Sequence, residues 1–347
     1  MSNSASLISP TTSVKFEILS SDEGFNDWDT FVRQQPYHNA FQSGAFARAF
    51  LDFNRYSTRV LVVRDELTNE ILGGFVGLCI TEKPGLLAQL TTRVVINGGP
   101  IVAPGANAFL PSLLERAKTL FKDRPVCYTE IWCMQSQDDV KALYPADYQH
   151  SDHLNFFVET GCNWEEIFKR YSSALRKTIR NNSPLVRIQR VTEESQLQEF
   201  HRCVASTYAR VGVPLIPIEV FRQVFRSDLG VFLLAFKDSE VVGARVVLPF
   251  GDEVYDWYAG SYDSHKQLNI NALLVNHILQ NASADGRMRF NFGGAGKPDK
   301  PYGPRDFKRR FGGELVNHGR WLFVNSRLRY KLLQLALIAY RKFNEND

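Results

Sequence analysis

Cysteine is scarce in this sequence. The five present, Cys79, Cys127, Cys133, Cys162 and Cys203, are odd in number and never spaced as C-x-x-C. That pattern excludes a disulfide framework and a thiolate metal site, and it leaves buried reduced thiols. The seven histidines, His38, His150, His153, His201, His265, His277 and His318, show no metal-ligand spacing, so no metal and no metal cofactor is expected. No serine or cysteine sits in a nucleophile motif, which sets aside a covalent hydrolase as well. Long apolar runs are also missing. Ile71 to Ile80 and Leu332 to Tyr340 fall well short of the ~20 residues of a bilayer-spanning helix. Residues 1–13, rich in Ser and Thr, lack the basic and apolar segments of a signal peptide. They are expected to form a disordered tail on a cytoplasmic protein.

What is present is core-forming material: 44% of the 347 residues are hydrophobic and 12% aromatic, enough for two domains. The net charge of +4 is too mild to indicate a nucleic-acid binder by itself. Its distribution says more, because cations crowd into 169–190 and again into 305–331, both in the second half.

Hydrophobic periodicity predicts two short helices within 25–53, a hairpin over 58–81, a strand pair over 90–102, a helix over 107–121 and a strand over 126–134. A small helix near 138–144 and a strand at 155–159 complete the first half. In the second half a hairpin over 231–248 turns at Lys237-Asp238-Ser239-Glu240. A strand at 253–259, a helix at 271–282 and a strand at 288–292 follow. The order hairpin, strand, helix, strand thus occurs twice, about 170 residues apart, as duplication of one α/β unit would give. Between the copies, 163–180 reads as one strong helix capped by Asn163, and 193–210 as another. The expected domains are 14–160 and 161–347.

The stretch Arg287 to Val316 combines a strand end, the Gly293-Gly294 break, a Pro/Gly/Lys loop and the amphipathic segment 306–311. Glycines allow close approach and cations supply charge, so an anionic group fits here; a solvated surface loop is the plainer alternative. Arg176, Lys177 and Arg180 end the 163–180 helix, where they either oppose the helix dipole or hold phosphates. Alternation along Tyr255-Asp256-Trp257-Tyr258 places Asp256 and Tyr258 on one face, either to orient or deprotonate an amine or simply within an aromatic core strand. Tyr208 ends the 193–210 helix. The basic helix over 327–342 either packs on the core or rests on an anionic membrane surface.

A hairpin, a third strand, a helix-opening loop and a fourth strand resemble the core of the GNAT acyltransferases. In that family a Q/R-x-x-G-x-G/A loop grips the pyrophosphate of acyl-CoA at a helix N-terminus. Gln267-Leu268-Asn269-Ile270-Asn271-Ala272 stands in its place, with Ile270 where the glycine belongs. A β-branched residue resists positive φ and blocks close approach, so this loop is a poor cradle.

Two such units in tandem, with WDTFVRQQPYHNAFQSGAF, SALRKTIRNN and FNFGG…FKRRFGG, resemble the Fem-type aminoacyltransferases from about Phe25 to Val324. The resemblance implies an α/β (α+β) fold of two tandem GNAT-like domains, each a mixed, mostly antiparallel twisted sheet flanked by helices. It implies transfer of an aminoacyl group from a charged tRNA to an amine of a peptidoglycan precursor. The motif's Phe-Lys pair falls on Phe307 and Lys308, the lysine stabilising charge at the reacting carbonyl, and the basic helix end on Arg176, Lys177 and Arg180. Tyr208, Tyr255, Gly293, Gly294 and Arg309 complete the expected substrate site around Lys308, Asp256 and Tyr258. The long coiled-coil insertion of the staphylococcal members is missing, which weighs on the tRNA contact. An acyl-CoA-dependent N-acyltransferase acting on a sugar amine or amino acid, and a non-catalytic RNA-binding module, are the alternatives.

Overall fold

The computed structural model describes residues 13–344 except 52 and 54. The expected tail therefore lies outside the described residues, apart from Ser13, which hydrogen-bonds to Glu66. In chain order, β1 (Val14–Leu19) precedes α1 (Asp22–Gln34) and α2 (Gly44–Ala49). Then come β2 (Tyr56–Asp65), β3 (Ile71–Thr81), α3 (Ala88–Thr91), β4 (Thr92–Asn97), β5 (Ile101–Val102), α4 (Leu110–Ala117), β6 (Tyr128–Trp132) and β7 (Gln149–Ser151). The second unit opens with β8 (Leu154–Glu159), α5 (Trp164–Arg170), α6 (Ser173–Asn182), β9 (Arg187–Arg190), α7 (Leu197–Arg210) and α8 (Ile218–Arg226). It continues with β10 (Val231–Lys237), β11 (Glu240–Phe250), β12 (Glu253–Ser261), α9 (Ile270–Ala284), β13 (Arg289–Gly294), α10 (Gly303–Arg309) and β14 (Glu314–Asn317). β15 (Arg320–Phe323) and α11 (Arg327–Asn344) end the described chain.

The expected duplication is present as two mixed, mostly antiparallel sheets with the same strand plan. One runs β1-β2-β3-β4-β6-β15-β7 with β5 on β3, the other β14-β8-β13-β12-β11-β10-β9. In each, a single parallel pair, β4 with β6 and β12 with β13, interrupts the antiparallel order. Each sheet has its own apolar core, around Phe75, Ile96 and Leu113 in one and Phe156, Leu274 and Phe290 in the other.

The domain bounds differ from the expected ones. The units are 1–152 with 318–347, and 153–317. β8 joins the second sheet, pairing with β13 and β14, whereas β15 returns to the first, pairing with β6 and β7. The return is held by buried Trp321, which stacks on the partly buried Tyr144 at 3.9 Å between ring centres. The single helix expected over 163–180 is two. Tyr171, extended at ψ 148°, ends α5, and Ser172 caps α6 by accepting from Leu175 N. Burial of the Tyr171 ring against Phe311, at 5.1 Å, outweighs the helix pattern. Helix α8, with Val220, Phe221 and Val224 buried, had not been anticipated.

Candidate active site

The second unit contains an open cavity of about 680 Å³ at the C-terminal ends of β12 and β13. It exists because the two strands part. Their parallel ladder runs only through Glu253↔Arg289, Val254↔Phe290 and Tyr255↔Asn291, although β12 continues to Ser261 and β13 to Gly294. Two irregularities produce the split. The β11–β12 register slips between Val246 and Val247, leaving Trp257 as the extra residue of a bulge. Gly293, at φ +71°, turns the end of β13, and a Cβ there would meet the Tyr255 hydroxyl at 2.6 Å. Asn291, fully buried, secures that turn by accepting from Gly293 N at 2.8 Å and donating to Glu253 at 3.0 Å.

Lys308 comes from α10 and fills part of the split. Its Nζ donates to the carbonyls of Phe292 at 2.8 Å and Gly294 at 2.7 Å, the two residues that flank the turned glycine. An ammonium has three donors, so one N–H remains for the cavity that Lys308 lines. Across it, Asp256 accepts twice from Arg245 Nη1, at 2.6 and 2.8 Å, and both side chains are largely buried. Arg245 Nη2 donates to Asn271 Oδ1 at 3.3 Å, and Asn271 donates onward to Ser261 Oγ at 3.1 Å. Two cations face one carboxylate, so the cavity has a surplus of positive charge suited to a developing oxyanion. Burial is the main reason that Lys308 is pulled from 10.5 down to about 8; Asp256 opposes the shift and Arg245 adds to it. Burial pushes the Tyr208 phenol up to about 12, with Asp256 contributing, so it stays protonated at neutral pH.

Of the residues expected from sequence, Lys308, Asp256, Tyr258, Tyr208, Tyr255, Gly293, Gly294 and Phe307 all line this cavity. The expected common face for Asp256 and Tyr258 is not found. The bulge pairs Asp256 with Val247 and Tyr258 with Val246, so they point to opposite faces. Asp256 accordingly meets Arg245, while the Tyr258 ring lies 5.3 Å from both Tyr208 and Phe221. Arg176, Lys177, Arg180 and Arg309 do not line the cavity. Arg176 donates to the carbonyls of Lys169 and Tyr171 and so closes the end of α5; Arg180 sits over the Phe168 ring at 5.5 Å. Lys177 is exposed, and Arg309 faces Asp306 at 3.7 Å on its own helix. The sequence reading missed Arg245, although a lone cation in the apolar strand VVGARVVLPF is a legible signal of a buried ion pair.

The start of α9, where the GNAT family holds pyrophosphate, is closed. Asn269 takes a left-handed φ of 53°, buried Ile270 packs directly onto Gly243, and Asn271 turns its side chain to Arg245 and Ser261.

Residues 169–309 match the family model for the acetyltransferase (GNAT) domain. No curated protein sequence matches the chain. Among solved structures, FemX superposes with a TM-score of 0.69 at 15% identity, covering 92% of this chain and 99% of that one. A tandem GNAT protein from the clavulanic acid biosynthesis pathway superposes at 0.55 and 11% identity, covering 90% and 99%. The C-terminal domain of a lysylphosphatidylglycerol synthetase from Agrobacterium fabrum does so at 0.55 and 14%, covering 91% and 95%. The chain thus has a tandem GNAT-type fold like that of FemX, and residues 169–309 of its second unit match an acetyltransferase-type domain.

Proposed function

We propose that this chain forms an amide by passing an aminoacyl group from a charged tRNA to an amine on a peptidoglycan precursor. The reading rests on the Fem-type resemblance and on one observation, the remaining Lys308 N–H beside the split strands. A neutral acceptor amine attacks the ester carbonyl, the C–N bond forms, and negative charge builds on the carbonyl oxygen. Lys308, protonated at neutral pH, donates to that oxygen, and Arg245 adds positive charge nearby. Collapse expels the ribose oxygen, which takes up a proton as the ammonium loses one, so the step balances without a metal or covalent intermediate. Asp256 and the tyrosines serve to orient the amine; both Asp256 oxygens already accept from Arg245.

Acyl-CoA as donor is the second reading, favoured by the GNAT family match and opposed by the closed start of α9. Incubation with aminoacylated tRNAs and a soluble cell-wall precursor should yield an amide product. Calorimetry with CoA should show no binding; micromolar binding would instead assign the donor to CoA, and salt-sensitive tRNA binding without transfer would indicate an RNA-binding module.

A further inference from the structure

Among the described residues, a run of exposed apolar side chains lies outside the cavity, on α11. Helix α11 is anchored through its first turns, where Tyr330 packs edge-on against Tyr128 at 5.3 Å and Leu333 is half-buried. From residue 334 to 339 every side chain is exposed. Leu328 (71% exposed), Leu332 (47%), Leu335 (55%) and Ile338 (52%) follow one another at i, i+4, i+7 and i+10 along one face. Leu337, on the opposite side, is 46% exposed, so within 335–339 aliphatic side chains are exposed on more than one side of the helix. α3 packs against α11, and the turn that leads into α3 presents Leu86 (92%) and Leu87 (53%). Two separate elements thus bring large unburied aliphatic side chains to one region, which singly exposed leucines would not do.

Charge selects among the possible occupants. From Arg327 to Asn344 the sequence has Arg327, Arg329, Lys331, Arg341 and Lys342 and no acidic residue. Lys83 is exposed beside Leu86, and the neighbouring Glu82 is paired with Arg93 at 2.9 Å. A second copy packed along this helix would bring the cations of 327–342 against one another, which opposes self-association. Exposed aliphatic side chains on more than one side, flanked by cations, are best covered by something that takes up both. No helix among the described residues is long and apolar enough to cross a membrane, so the geometry is that of a segment lying in an interface.

We propose that α11, together with the Leu86–Leu87 turn, docks the protein onto an anionic lipid surface, its aliphatic side chains in the acyl region and its cations among the headgroups. Lipid phosphate and the phosphates of a nucleic acid share the required charge, but only the bilayer also takes up the leucines.

The test uses the full chain and vesicles of phosphatidylcholine with or without about one third phosphatidylglycerol. Binding is expected to the anionic vesicles only, and to weaken as salt is raised. Leu335→Asp with Ile338→Asp should lower partitioning at least tenfold, and so should Leu86→Asp in a separate protein, while the thermal midpoint stays unchanged. Arg327→Gln with Lys331→Gln should weaken binding several-fold and remove most of its salt dependence. No sedimentation with anionic vesicles would overturn the proposal. Equal binding by the Leu335/Ile338 variant would also do so, as would a concentration-dependent dimer that the same variant abolishes without any vesicle binding. Binding to vesicles needs neither tRNA nor acyl acceptor, so this outcome is independent of the transfer reaction.

Discussion

The two units share a strand plan and differ at one joint. In the first, β4 and β6 stay paired to their ends, through Arg93↔Tyr128, Val94↔Thr129, Val95↔Glu130, Ile96↔Ile131 and Asn97↔Trp132. In the second, the matching pair separates after three residue pairs. The cavity beyond β4 and β6 is about 230 Å³, and Asp139 is its one charged lining residue. The cavity between β12 and β13 is about 680 Å³ and holds Arg245, Asp256 and Lys308. A duplicated fold therefore provides the location twice, and a bulge, a turned glycine and a returning lysine make one copy chemically equipped. Closing a parallel ladder satisfies backbone groups; opening it exposes carbonyls that a lysine can occupy.

That contrast is most severely tested at Lys308. Lys308→Ala should lower the transfer rate by about 10²–10³-fold, the usual cost of removing an oxyanion donor. Gln135→Ala, in the first unit's cavity, should leave the rate within about twofold, on the ordinary expectation for a group outside the chemistry. Reversed results would move the chemistry to the first unit.

Next in size is the Arg245–Asp256 ion pair of the second unit, both of whose side chains are largely buried. Arg245→Met leaves Asp256 buried without its partner and should cost about 3–5 kcal/mol in urea unfolding. Adding Asp256→Leu should recover most of that loss, because the uncompensated charge is then gone. A loss that the second change leaves untouched would assign Arg245 to packing alone.

The turned strand end comes third. Gly293→Ala forces an L-residue to φ +71° and into the Tyr255 hydroxyl, whereas Gly286→Ala, at φ +69°, meets nothing within 4 Å. The second should lose about 1–2 kcal/mol from backbone strain alone. The first should lose measurably more and also alter the transfer rate. Equal losses would mean that Tyr255 does not hold the split open.

A graded effect is expected in pH. Lys308 is about 8 in the folded protein against 10.5 ordinarily. Below pH 8 both folded and unfolded chains are protonated there, and the folded state bears the full cost of the buried charge. Between pH 8 and 10.5 the unfolded chain binds more protons, so stability should rise with pH across that window. Lys308→Met should remove that rise. The wild-type transfer rate should fall through about pH 8 as the donor N–H is lost.

Much of the architecture was legible because hydrophobic periodicity reports one element at a time. The hairpin β10–β11, its turn at Asp238 with φ 54°, the helix α9 and the strand β13 all lie close to where the pattern put them. Periodicity failed where a distant contact overrode it. Tyr171 and Ser172 break a helix that the local pattern would continue. Trp321 carries β15 back into the first sheet. Strict alternation along 255–258 misplaced Tyr258, since a bulge changes the face of every later residue and leaves little mark in sequence. Arg176 looked like a phosphate ligand because its helix end is basic, yet its guanidinium is taken by the carbonyls of Lys169 and Tyr171.

By itself the sequence determined the duplication, the apolar faces, the absence of thiol and metal-ligand spacing, and the concentration of cations around Lys308. These are properties of composition and local spacing, which survive without knowledge of what lies opposite. Only the tertiary structure decided that Lys308 reaches two carbonyls of β13, that Arg245 and not a helix-end arginine stands beside Asp256, and that Ile270 closes the start of α9. Each of those depends on residues 11 to 27 positions apart meeting within a few ångströms. Such meetings are set by strand register and packing, to which a one-dimensional pattern has no access.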